Sequence, residues 1–428
     1  MSSPNEFQVG VAWRDISPPQ PQLLRPTGMG RLQPTRAVLD PVRAEAMAIR
    51  AGGELAFLMT SDLRVIWYEW MQEIAAAVSR KTGCDPRKLL FSSVHNHSSS
   101  PAPENDSPEA KAALAEADRK IIDGLIGACL EAADKLAPAE IAAFTAQLTE
   151  PVGQNRRSRF SNGACANCWA SGPVIPQGKK YVGPAGPDST KADVLCARRV
   201  GEGTPFAVFT SYASHPHLSR MPYFSGEFPG AAKRQIEAAI PGAVAMQTTH
   251  AGGDIDLHCV HPVPDGDAEE VQWFQRSAEL LGGRLARAIL PAIPTAGYSR
   301  PRTMRHGYYA SEPIPFEHSH PGPRILVNAL AMDDVAVASI PCELFLELGL
   351  RIQAGSPFAH TILMSYDGSA GEYMAAPLAF EQGSYEVGHG VRLSAKEENV
   401  LKTRIWVEPG TGEEIVAKTV EVLGSLQD

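Results

Sequence analysis

The segment FSSVHNHSSSP, Phe91 to Pro101, sets two imidazoles, His95 and His97, one residue apart at the end of an apolar run. If that run is a strand, residues i and i+2 share a face and both rings point into one cleft. A second His-x-His, His215 and His217 in SYASHPHLS, also follows an apolar run. Glu343 in ASIPCELFLEL, and Tyr373 and Tyr385 in GEYMAAPLAFEQGSYE, hold comparable places. Two imidazoles and a carboxylate form a ligand set for catalytic zinc, with a fourth position left for a water whose pKa falls to about 7. Each residue taken singly has a plainer use. A carboxylate at a helix start complements the dipole, and tyrosines pack half-buried. His318 and His320 in FEHSHPG, and Asp254, Asp256, His258 and His261 in DIDLHCVHP, are equally able to ligate, so spacing does not choose among the 12 histidines.

The elements that must position these residues alternate along the chain. FQVGVAWRD reads as a strand, and AEAMAIRAGGELAFLMTSDL as a hairpin about a Gly-Gly turn. YEWMQEIAAAVSRKTG is helical with a stop at Gly83, and KLLFSSV is a buried strand delivering His95. Ser107-Pro108 opens a long helix, and AEIAAFTAQL is a strand. Residues 150–193 are rich in Gly, Pro, Asn and Ser and read as an irregular insertion, a candidate lid loop. PFAVFTSYA and AVAMQ are strands running into polar loops, and AEEVQWFQRSAELLGGRLARAIL is an amphipathic helix. A strand pair, the helix CELFLELGLRIQAG, the strand HTILMSYDG and the helix TGEEIVAKTVEVLGSL complete the chain. The expected architecture is one large α/β domain over 1–428. Its polar clusters follow apolar strands, where α/β enzymes place their sites.

Bulk properties narrow the function classes. The chain has 428 residues, 44% hydrophobic and 20% charged, as in a globular protein. A net charge of −9 argues against nucleic-acid binding, which needs a basic surface. No run of about eighteen apolar residues suggests a membrane span, and MSSPNEFQVGVAW lacks a basic and then apolar leader. The cytoplasm is the expected location. Seven scattered cysteines fit a reducing compartment. Cys165 and Cys168 make a single C-x-x-C, without the second pair that a structural zinc would need.

Several blocks together resemble one family, the neutral/alkaline ceramidases, which are zinc-dependent amidohydrolases. SVHNHSSSP is similar to their H-T-H-S-G-P segment, and GQNRRSRF to their V-N-R-S segment. SYASHPHLSRMPYFSGEFPG resembles the stretch that ends in S-G-D-x-x-G, and QTTHAGGDIDL the Q-x-x-x-G-D-V-S-P segment. IPCELFLELGLRI is similar to P-G-E-F-T-x-x-x-G-x-R-L, and GEYMAAPLAFEQGSYE to the segment with two spaced tyrosines. The resemblance covers the catalytic domain and implies a layered αββα fold. It implies that His95, His215, Glu343 and Tyr373 ligate one Zn2+ per chain. His97, Arg156 and Tyr385 then fall on substrate-facing positions. His97 would serve as proton shuttle, and Arg156 as a substrate clamp, with a salt bridge steadying the long loop as its other use. Asp254 would orient a histidine ligand.

Four departures fall on the pocket wall: SSSP after His97, Glu227 for the aspartate of S-G-D, Asp256 for a serine, and Cys342 for a glycine. The expected activity is hydrolysis of a linear amide bond in a small, soluble substrate. An esterase, lactonase or lactamase on the same site is the alternative. A lipid-cleaving ceramidase or a non-catalytic binding protein stands behind these, and neither nucleic acid nor membrane insertion is expected.

Overall fold

The computed structural model describes residues 6–27, 37–167, 180–218, 223–257, 267–312, 325–368, 373–388 and 407–427. Its main sheet contains β1 (Gln8–Asp15), β2 (Arg43–Ala51), β3 (Glu54–Ser61), β4 (Leu89–Phe91), β5 (Ala137–Gln147), β6 (Lys191–Arg199), β7 (Pro205–Tyr212) and β8 (Val244–Thr248). The spatial order is β8-β7-β6-β5-β1-β2-β3-β4. The outer pairs β7/β8 and β3/β4 are parallel, and the pairs between them are antiparallel. A second sheet follows, β9 (Arg305–Ala310), β10 (Leu326–Met332), β11 (Val335–Ser339) and β12 (His360–Met364), in sequential order.

Side-chain alternation builds the layers. Along β2, Met47 and Ile49 join Val337 of β11 and Ile362 of β12 in a core between the two sheets. Ala46 and Ala48 point the other way, onto α1 (Tyr68–Thr82) and α2 (Pro108–Asp134). Helices α3 (Glu227–Ala239) and α4 (Asp267–Ile289) cover the other half of that face. The second sheet is covered by α5 (Leu346–Gly355) and α7 (Thr411–Gly424), which follow in sequence on either side of the short α6 (Pro377–Gln382). The result is helix, sheet, sheet, helix: the expected α/β fold class, in the layered order that the family resemblance implies.

Local signals behave as their chemistry requires. Gly52 and Gly53 take φ of 57° and 85°, the left-handed pair that a two-residue hairpin turn needs. Ser107 caps α2 by accepting from Ala110 N at 3.1 Å, with Pro108 at the first helical position. α1 stops at Gly83, φ 75°.

Three expectations are corrected. The strand before His95 ends at Phe91, and His95 itself has φ 59°, so strand alternation does not pair its ring with that of His97. The helix expected from Cys342 begins only at Leu346, because Glu343–Leu344 pairs in parallel with Tyr373–Met374. The 150–193 segment is not irregular throughout. It holds strands Gly153–Asn155, Arg157–Phe160, Cys165–Asn167 and Tyr181–Pro184, too short to show a period. Cys165 is buried in one of them, whereas Cys168, His258, His261, His318 and His320 lie outside the described residues.

Candidate metal centre

His95, His215 and Glu343 reach the same point from three loops, those after β4, β7 and β11. One ligand atom from each lies within 4.8 Å of the others, and all three residues are buried. Backbone carbonyls orient the imidazoles. His95 Nδ1 meets Arg64 O and His215 Nδ1 meets Ile255 O, each at 2.9 Å. A carbonyl can only accept, so both Nδ1 atoms carry the proton and both Nε2 lone pairs turn inward. His215 Nε2 stands 3.1 Å from Glu343 Oε2, and His95 Nε2 3.6 Å from Glu343 Oε1. A tetrahedron with ligand bonds of about 2.0–2.1 Å places its ligand atoms about 3.4 Å apart. The three donors suit a zinc ion in number and type, and they lie close enough together to share one.

Electrostatics keep the imidazoles able to ligate. Burial pushes His95 and His97 well below the usual histidine range. Burial also lowers His215, with the Arg156 charge adding to it. A neutral ring is the form that binds metal.

Tyr373 stands beside Glu343 through the parallel pairing of their two-residue strands. Its ring centroid is 6.4 Å from that of His215. Arg156 Nη2 donates to the Tyr373 phenol oxygen at 2.8 Å, and its Nε to Glu386 Oε1 at 2.7 Å. Arg157 reaches Ser384 Oγ at 3.1 Å and Glu386 Oε2 at 3.9 Å. Both arginines thus pair with Glu386, and Arg156 also binds the Tyr373 phenol beside Glu343. Tyr385 packs edge-on to Tyr373, with centroids 5.9 Å apart.

His97 lies with its ring centroid 5.0 Å from that of His95 and 5.1 Å from that of His217. Both its ring nitrogens are buried without a hydrogen-bond partner among the described residues. His217 pairs through Nδ1 with Asp256 Oδ1 at 3.0 Å, which gives the aspartate in the serine position a definite use. Asp254 has a different task from the expected one. The Ile255 carbonyl fixes His215, while Asp254 accepts from Leu346 N at 2.8 Å and Asn155 Nδ2 at 2.6 Å. It thereby clips the Glu343 loop to the segment carrying Arg156.

Glu227 joins the two His-x-His loops: its carboxylate accepts from Ser98 Oγ at 2.6 Å and from Leu218 N at 3.0 Å. Burial pushes its carboxyl up to about 7.

Two contributors escaped the sequence. Glu386, the counter-ion of both arginines, follows Tyr385 directly and carried no periodic signal. Tyr366 follows β12, and its ring lies 4.3 Å from His95 and 5.8 Å from His215 between centroids. Positive φ in a residue other than glycine was the hidden feature: His95, Glu227, Tyr366 and Ser384 all have it, at 59°, 51°, 62° and 151°. Such strain gathers at sites that the surrounding structure must hold in place.

Comparison with known proteins agrees on the fold. No family model matches the chain, and no curated protein sequence does. Among solved structures it is similar to the neutral ceramidase from Pseudomonas aeruginosa, with a TM-score of 0.73 at 12% identity, covering 99% of this chain and 74% of that one. It is also similar to a ceramidase complexed with C2, with a TM-score of 0.71 at 13% identity, covering 99% and 75%. The chain therefore has a ceramidase-like fold.

Proposed function

We propose that this protein is a zinc-dependent hydrolase that cleaves an amide bond of a small, soluble substrate. One observation carries the proposal: two Nε2 atoms and a carboxylate, all buried, are brought from three loops to within 4.8 Å of one another, close enough to share one ion. The fold shared with ceramidases supports the amide as the bond cleaved.

His95, His215 and Glu343 would hold the ion, with Tyr373 as fourth ligand. When bound, zinc acidifies a water and polarises the scissile carbonyl. The chain's own groups handle the rest. His97 is neutral and within reach of the centre, so it accepts the proton of the attacking water and returns it to the leaving nitrogen as the C–N bond breaks. Arg156 donates to the Tyr373 oxygen and so orients that phenol. The His217–Asp256 pair and Tyr385 supply polar contacts to the acyl or amine portion. These neighbours are imidazole, phenol and carboxylate, a lining suited to a polar substrate more than to a lipid chain.

Metal analysis of purified protein, followed by a screen of acyl-amides, esters and lactones, tests this. One zinc per chain with turnover of an acyl-amide is expected. Metal-free protein that takes up no zinc would refute it.

A further inference from the structure

Tyr366 is used by nothing so far described. It has φ 62°, a conformation that a bulky side chain adopts only when its surroundings impose it. Those surroundings are the loop that carries His95. Ser93 Oγ donates to Tyr366 O at 3.1 Å, and Ser92 Oγ to Ser365 O at 2.5 Å. Thr249 O accepts from Ser365 N at 2.8 Å. The ring is thereby laid on His95, tilted by 32° at 4.3 Å, and edge-on to His215. Its hydroxyl lies 3.5 Å from where a Cβ on Gly252 would sit, and the next residue, Gly253, packs its Cα against the Glu343 carbonyl. Tyr366 is 3% exposed, and its hydroxyl has no hydrogen-bond partner among the described residues.

A buried donor without an acceptor is costly unless a ligand or water completes it. The strain, the stitching to the His95 loop and the flanking imidazoles all tie this donor to the metal centre. Resting on the metal-hydrolase reading above, we infer that the Tyr366 hydroxyl is a hydrogen-bond donor to an anionic oxygen bound in the centre, while its ring buttresses His95.

Tyr366→Phe keeps the ring and removes only the donor. Acetohydroxamate, a small anion that binds zinc through oxygen, serves as probe on the zinc-loaded protein. The variant should retain one zinc per chain and bind acetohydroxamate about tenfold to a hundredfold more weakly, as expected for loss of a hydrogen bond to a charged group. The metal-free variant should melt no lower than wild type, because the deleted hydroxyl satisfied nothing in the protein. Equal acetohydroxamate affinity at full zinc would overturn this inference alone. A lower melting temperature, or failure to fold, would show a structural partner for the hydroxyl and overturn it too. Wild-type protein that binds no zinc would remove both this inference and the function on which it rests.

Discussion

Replacing Glu386 by glutamine tests how the centre is held from behind. Glu386 is fully buried and accepts from Arg156 Nε at 2.7 Å, Asn167 Nδ2 at 2.6 Å and Ser384 Oγ at 2.5 Å. Arg156 and Arg157 are buried as well, at 1% and 3% side-chain exposure. Glutamine keeps the shape and an acceptor oxygen but leaves two buried guanidiniums without their counter-ion. Removing one partner of a buried pair costs about 3–5 kcal/mol. The lower end applies here, since Asp254 and Asp256 also bear on these arginines. Unfolding entropy of about 2.1 cal/mol/K per residue gives about 0.9 kcal/mol/K for 428 residues, so Tm should fall by about 3–4 °C.

The pH dependence of that difference has a fixed sign. Burial acts to raise the Glu386 carboxyl, but Arg156 and Arg157 outweigh it and hold the group below its ordinary 4.5. Its stabilisation is therefore present above the unfolded value and is lost as pH falls through the folded one. Thermal melts of metal-free protein across a pH series should show the gap between wild type and variant closing on the acid side only. Because Arg156 orients Tyr373, zinc affinity measured by chelator competition should drop about tenfold to a hundredfold. A variant that melts within about 1 °C of wild type at about pH 7, against the expected shift of about 3–4 °C, would refute the buried-charge account.

His95→Ala and Glu343→Ala should each lose bound zinc and activity together, and elemental analysis showing full zinc in both would disprove their assignment as ligands. His97→Ala should retain zinc while turnover falls by about 10²–10⁴, the usual contribution of a general acid–base; wild-type rates would exclude the shuttle. Glu227→Gln should stabilise the fold at alkaline pH. The wild-type carboxyl, pushed up to about 7 from 4.5, favours the native state fully below the lower value and loses that contribution as pH rises through the upper. The difference amounts to about 3 kcal/mol, and melts of the variant that decline as steeply as wild type between those pH values would contradict it.

The sequence by itself determined the local elements and the inventory of reactive side chains. The Gly52-Gly53 turn, the Ser107 cap, the Gly83 stop and the alternation along β2 are written within a few residues of where they act, so they can be read one at a time. The family resemblance named His95, His215, Glu343 and Tyr373 as a group. Tertiary structure alone decided how they meet. His95 lies past its strand in a left-handed turn, and Glu343 lies ahead of its helix in a two-residue pairing with Tyr373. Glu386 became the counter-ion of two arginines about 230 positions away. Glu227, Asp256 and Tyr366 took their parts through contacts across the packed sheets. Periodicity reports only which face of an element is buried. It carries no information on which loops two stacked sheets will bring to one point, because that is fixed by packing between segments more than a hundred residues apart.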